Sequence, residues 1–241
     1  LHDLAQIQKL DAEVLFLQGV AQGGLPRRQT TEKEARQAAP FFHQCLAEDS
    51  RHLPASLSLT ESLLLVGEDQ LAAGGALRAL EVLEQTGLNP SHLDSPRFPP
   101  VQDRFRMEWE KAAWQNAGNL QAEIQAKEKL LRYRLCAILA EVTGELVWFH
   151  EAALAWPDLP ESRASLGCAL ARQNQMVLAL EHLQEAVAAD PFDRQAAVSL
   201  YQAYLESEQT HQAREHVHQQ RLLARRCPTW IGKEEWLEQA P

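Results

Sequence analysis

Residues 160–193 read PESRASLGCALARQNQMVLALEHLQEAVAADPFD, and this stretch decides how the whole chain is read. Pro160 opens a segment in which Leu166, Gly167 and Leu170 fall on one side of a helix. After Gln173-Asn174-Gln175, a second segment carries Ala179, Leu183 and Ala186 as a stripe, and Pro191 ends it. Neither segment alternates as a strand does. Small side chains at 167, 179 and 186 let two antiparallel helices approach closely, while the leucines fill the space between them.

The rest of the chain has the same character. Its 241 residues include 35 alanines, 37 leucines and 23 glutamines, against 22 valines, isoleucines and threonines together. Straight-chain residues and alanine lose little freedom in a helix, and β-branched ones favour strands. Sandwiches, barrels and doubly wound sheets are therefore excluded, and with 45% hydrophobic residues the chain can bury a core. Glycine and proline breaks predict helices over 2–21, 31–48, 54–66, 69–86, 102–117, 119–140, 142–156, 160–172, 176–189, 193–206, 210–225 and 231–238. The expected fold is an all-α helical-repeat solenoid of eleven or twelve helices in antiparallel pairs. Four prolines between Gly87 and Pro100 mark a connecting loop at 89–101. It separates a degenerate helical part, 1–88, from a long helix pair and degenerate repeat at 102–159. Repeats follow at 160–227, and a capping segment at 228–241 carries Trp230, Ile231, Trp236 and Leu237.

Taking Pro160 as position 1 places Leu at 7, Gly at 8, Ala at 20, Leu at 24, Ala at 27 and Pro at 32. This pattern resembles the tetratricopeptide repeat, a helix–turn–helix unit of about 34 residues. One period on, Leu200, Tyr201, Tyr204, Ala213 and Val217 take the corresponding positions, although the closing Pro228 arrives late. One period back, Tyr133, Ala152 and Pro157 match, but Glu145 stands where the family places alanine. Leu57, Leu63 and Leu64 with Ala76, Leu80, Leu83 and Pro90 form a further unit without the signature. The stretch from Arg163 to Asp193, the arginine-rich helix after it and Pro228-Thr229-Trp230 are also similar to the helical region appended to some bacterial glycosyltransferases. The α/β domain that carries the nucleotide-sugar site in those enzymes has no counterpart here. Because the chain begins at Leu1 and not at methionine, it reads as a fragment of something longer.

Charge and motif searches narrow the function classes. A net charge of −10 spread along the chain disfavours a nucleic-acid binder. No apolar run approaches the roughly 20 residues of a membrane span, and charges interrupt residues 1–19 where a leader would be apolar. Cys45, Cys136, Cys168 and Cys227 show no paired spacing, which suggests free thiols in a reducing, cytoplasmic compartment. His150-Glu151 lacks the second histidine of a zinc-protease helix, and His211, His216 and His218 read as a solvated helix. No metal site, cofactor or catalytic residue is expected. Two basic clusters remain, Lys127, Lys129, Arg132 and Arg134 with Arg104 and Arg106 upstream, and Arg221, Arg225 and Arg226; solvation and helix-end charge are the favoured reading, with an anionic partner as the alternative. Phe105, Trp109, Ala112 and Ala113 have the spacing of a core stripe.

The tetratricopeptide resemblance implies a non-catalytic interaction or scaffolding module. In that family the first helix of each repeat lines a concave groove that takes a peptide or protein segment. Its lining positions fall here on Glu161, Ala164, Cys168, Ala171 and Arg172, then on Gln195, Val198, Gln202, Leu205 and Glu206. The Lys, Asn and Arg with which one branch of the family clamps a terminal carboxylate are absent, so a mixed or amidic segment suits this groove better. The runner-up is the helical recruiting or assembly region of a larger enzyme of the glycosyltransferase kind. Partner identity and self-association stay open.

Overall fold

The structure is a computed structural model that describes residues 2–22, 31–90, 103–157 and 159–226. These residues contain eleven α-helices and no strand. The fold is all-α, built from antiparallel helix pairs joined by short turns. The chain divides into two compact units, Leu1–Trp148 and Phe149–Pro241. The twelfth expected helix, most of the proline-rich loop and Cys227 lie outside the described residues, as do the side chains of Arg104, Phe105, Arg106, Trp109, Arg225 and Arg226.

The first unit holds α1 (His2–Gln22), α2 (Glu32–Glu48), α3 (Leu53–Leu65), α4 (Asp69–Thr86), α5 (Asp103–Gln115) and α6 (Leu120–Thr143). Sequential neighbours α1 to α4 pack pairwise, and α6 packs on α3, α4 and α5. A capping box starts α2, with Thr31 and Glu34 satisfying each other's backbone N–H groups. His52 caps α3: its Nδ1 accepts from the Ala55 N–H at 3.1 Å, and its ring lies 4.8 Å from that of Phe16. Phe16, Phe42, Cys45 and Ala55 form the core of the first three helices. Burial pushes the Cys45 thiol up to about 12, so it stays protonated.

The basic residues of α6 correct the expectation of a solvated cluster. Lys127 and Arg134 sit on the apolar stripe of Leu130, Leu131, Leu135 and Ile138 and are buried. Lys127 pairs with Glu123 at 2.7 Å, Arg134 with Glu61 of α3 at 2.6 Å, and Arg132 with Glu84 of α4 at 3.0 Å. Only Lys129 of the four lies on the outside. Glu61 is 2% exposed, and that burial pushes its carboxyl above the usual carboxylate range against the opposing pull of Arg134.

In the second unit lie α8 (Pro160–Arg172), α9 (Met176–Ala189), α10 (Arg194–Glu206) and α11 (Thr210–Arg226), while α7 (Leu146–Ala155) spans the boundary. Each of α8 to α11 packs on the next, and α8 also packs on α10. Leu166, Leu170, Ala179, Leu183 and Ala186 are all buried, as the repeat reading requires. A Cβ at Gly167 would sit 2.7 Å from Leu183 Cγ and 3.2 Å from the Ala179 carbonyl oxygen, so α8 and α9 approach as closely as a missing side chain permits.

The period is visible in the backbone itself. Among the described residues, Asn174 and Glu208 are the two non-glycine residues with positive φ, each at 59°, and 208 − 174 = 34. Around them the hydrogen bonds repeat: Gln175 N–H to Leu170 O at 3.0 Å, then Gln209 N–H to Tyr204 O at 2.8 Å. Asn174 N–H to Ala171 O at 2.9 Å is matched by Glu208 N–H to Leu205 O at 3.1 Å. The left-handed conformation suits asparagine and strains glutamate.

Two consequences can be measured by denaturant unfolding. Gly167→Ala forces α8 off α9 and lowers stability by about 1–3 kcal/mol, with helicity retained; an unchanged midpoint would show that the pair is not limited at this contact. Glu208→Asn gives the second turn the residue of the first and raises stability by about 0.5–1 kcal/mol; a loss of stability would show that the backbone strain is unimportant there.

Candidate functional site

The two parallel helices α8 and α10 carry the expected groove residues. On α8 the stripe is Glu161, Ala164, Cys168 and Arg172; on α10 it is Gln195, Val198, Gln202 and Glu206, and both stripes keep the three-or-four spacing of a single helix face. The helices lie side by side, and the Cys168 thiol donates to the Ser199 hydroxyl at 3.1 Å. Arg172, Gln195, Gln202 and Glu206 are exposed, whereas Glu161, Cys168 and Val198 are half-buried. Ala164 is placed differently: it is packed against Ala186 and Ala196 and belongs to the junction of α8, α9 and α10. Arg172 and Glu206 end their helices with opposite charges, and Leu205 adds an exposed apolar side chain between amide and acid.

A second concave feature, which the sequence reading missed, lies between α9 and α11 over α10. It is a cleft of about 600 Å³. Gln184, Val187 and Ala188 line it from α9, and Leu200 and Tyr204 from α10. Gln212, Glu215, His216, Gln219, Gln220, Leu222 and Leu223 line it from α11. The Gln184 amide donates to the Tyr204 hydroxyl at 3.0 Å, which bridges α9 and α10 at its edge.

Here α11 departs from the solvated helix that its histidines suggested. His211 and His218 are exposed, but His216 is buried at 5% exposure. Its Nε2 lies 2.9 Å from the Ala197 carbonyl oxygen, and its ring centroid is 6.3 Å from that of Tyr204. The reason is the helical period: Ala213, His216, Val217 and Gln220 occupy one face, and that face is the one packed on α10. The same register that assigned Ala213 and Val217 to the core therefore located His216 and Gln220 as well.

Elsewhere the geometry offers little chemistry. His150 is exposed beside a half-buried Glu151. Among the described residues, no group of three or more His, Cys, Asp or Glu could hold a metal ion. Cys45 and Cys136 are buried and Cys168 is half-buried, all as free thiols. No described helix is long and apolar enough to cross a membrane.

No family model and no curated protein matches the chain. Among solved structures, the "TPR2AB-domain:pHSP90-complex of yeast Sti1" aligns over 100% of this chain and 98% of its own, at 11% identity and a TM-score of 0.39.

Burial lowers the His216 pKa below its ordinary value near 6.5, against the pull of its bond to Ala197. The unfolded chain therefore binds the proton more tightly than the folded one, and the stabilisation tied to the neutral ring is lost as pH falls through and below 6.5. Wild type should lose more stability between pH 7.5 and pH 5 than His216→Gln does, by about 1.4 kcal/mol for each unit of depression. Parallel losses in urea unfolding of the two proteins would remove His216 from the pH response.

Proposed function

We propose that the chain is a non-catalytic protein-interaction module that holds a peptide or protein segment along the α8–α10 face. The observation that supports this reading is the packing of α8 on α10, where the Cys168 thiol donates to the Ser199 hydroxyl. On these two helices Arg172, Gln195, Gln202 and Glu206 are exposed. A row of amides flanked by one cation and one anion suits a segment bound through its backbone and polar side chains, since primary amides both donate and accept. The half-buried Val198 and Cys168 supply a narrow apolar floor.

The test is capture from native lysate by the immobilised full chain, followed by titration of the captured protein with purified material. Arg172→Glu combined with Gln202→Glu should weaken binding at least tenfold while circular dichroism stays unchanged. Arg214→Glu, exposed on α11, should bind like wild type. Equal affinity for all three chains would eliminate the α8–α10 face.

A further inference from the structure

Helix α11 carries a charge that the rest of the chain does not share. Its residues, Thr210–Arg226, include four arginines and one carboxylate, a net of 4 − 1 = +3. The whole chain carries −10, so everything outside α11 carries −10 − 3 = −13. Register gathers the cations. Ala213, His216, Val217 and Gln220 are buried on the side packed against α10, whereas His211, Arg214, His218 and Arg221 are exposed. Spacings of three, four and three residues put these four on one outward face. Glu215, the carboxylate of the helix, lines the α9–α11 cleft to one side of that stripe. Helix stability does not explain the arrangement. Cations suit the last turn of a helix, which covers Arg225 and Arg226 but leaves out Arg214 in the first half. Three and four residues from Arg214 stand Thr210, His211, Val217 and His218, so no carboxylate of its own helix is spaced to pair with it. Elsewhere such pairs are made: Arg36 with Glu32, Lys127 with Glu123, Arg132 with Glu84 and Arg134 with Glu61.

We propose that this stripe docks a short acidic segment of another protein, whose carboxylates pair with Arg214 and Arg221 and accept from the imidazoles of His211 and His218. Charge complementarity sets the chemistry of the partner. A guanidinium holds a carboxylate through two parallel N–H bonds, and the stripe offers two of them on successive turns. Length sets the class of partner. His211 to Arg221 is 221 − 211 = 10 residues, which at ~1.5 Å per residue is ~15 Å along the axis. An extended chain at ~3.3 Å per residue covers that distance in about five residues. Beyond this footprint the chain is strongly negative, and salt screens such charges only over ~10 Å at 0.1 M. A nucleic acid or an anionic membrane meets that repulsion along most of its contact. A short acidic segment fits within the stripe and escapes it.

The stripe shares no residue with the α8–α10 face, and the two readings fail separately. The experiment titrates a fluorescent hexaglutamate peptide with the full chain and reads anisotropy, first at low salt and then at physiological salt. Wild type should bind at low salt and lose at least tenfold in affinity at physiological salt. Arg214→Glu combined with Arg221→Glu should weaken the low-salt binding at least tenfold, with circular dichroism unchanged. Arg214→Lys combined with Arg221→Lys, which keeps the charge, should stay within about threefold of wild type. Lys129→Glu combined with Arg172→Glu alters the net charge by the same amount at exposed positions elsewhere, and should bind like wild type. Single-stranded DNA and phosphatidylserine vesicles are titrated in parallel. Absence of hexaglutamate binding, equal loss in the two charge-reversed chains, or tighter binding of DNA or vesicles than of hexaglutamate overturns the proposal.

Discussion

The closeness of paired helices is the constraint on which the rest depends, and glycine sets it in both units. Gly167 faces Leu183 and the Ala179 carbonyl between α8 and α9; Gly19 faces the Phe42 ring between α1 and α2; Gly75 faces the Thr60 hydroxyl between α4 and α3. At each position an added Cβ would fall within 3.0 Å of an atom on the opposite helix. Interiors pack like organic crystals, so either the facing side chain or the helix axis would have to shift. The α8–α9 distance in turn positions Leu183 against Leu200 and Tyr204, and through them α10 and α11.

On this apolar scaffold the chain buries an unusual set of polar groups. In the first unit Glu61 and Arg134 join α3 to α6, and α3 itself satisfies Ser58, Thr60 and Ser62 through backbone carbonyls one turn back. Taking charges out of water is costly, so such a pair is weak evidence for stability and better evidence for a defined register between two helices. In the second unit His216 plays the corresponding part between α11 and α10, as a neutral ring bound to a carbonyl. Both devices discriminate among ways in which smooth leucine and alanine faces could slide, which apolar packing alone does poorly.

The helices, their bounds and the 34-residue period were legible in the sequence because they follow from propensity, proline, glycine and the recurrence of small residues. The eleven described helices lie within a few residues of the expected ones, and α6 and α7 differ most: α6 runs on to Thr143 before Gly144 turns left-handed, so α7 starts at Leu146 and not at 142. Burial of individual polar residues was not legible from residue type. Lysine, arginine, histidine and glutamine are usually exposed, and that tendency assigned Lys127, Arg134 and His216 to solvent and left Gln220 unread. The helical period overrides it, since all four share a face with leucine, alanine or valine. The stripe on α8 and α10 was readable by register, but Ala164 was not separable from its neighbours, because its contact with Ala186 and Ala196 depends on how three helices meet.

The second unit therefore presents two surfaces of different physical kind. The α8–α10 face is open, lined with amides and isolated charges, and its side chains remain hydrated in the free chain. A partner there gains little from each contact and must engage many, which favours an extended segment over a compact ligand. The α9–α11 cleft is concave and sets aliphatic side chains, Val187, Leu200, Leu222 and Leu223, beside the polar Gln184, Gln212, Glu215 and Gln219. Tyr204 and Leu200 of α10 belong to the cleft, while Gln202 and Glu206 of the same helix belong to the open face. Helix α10 thus contributes to both, and Leu200 and Tyr204 hold it against Leu183 of α9 and Ala213 of α11.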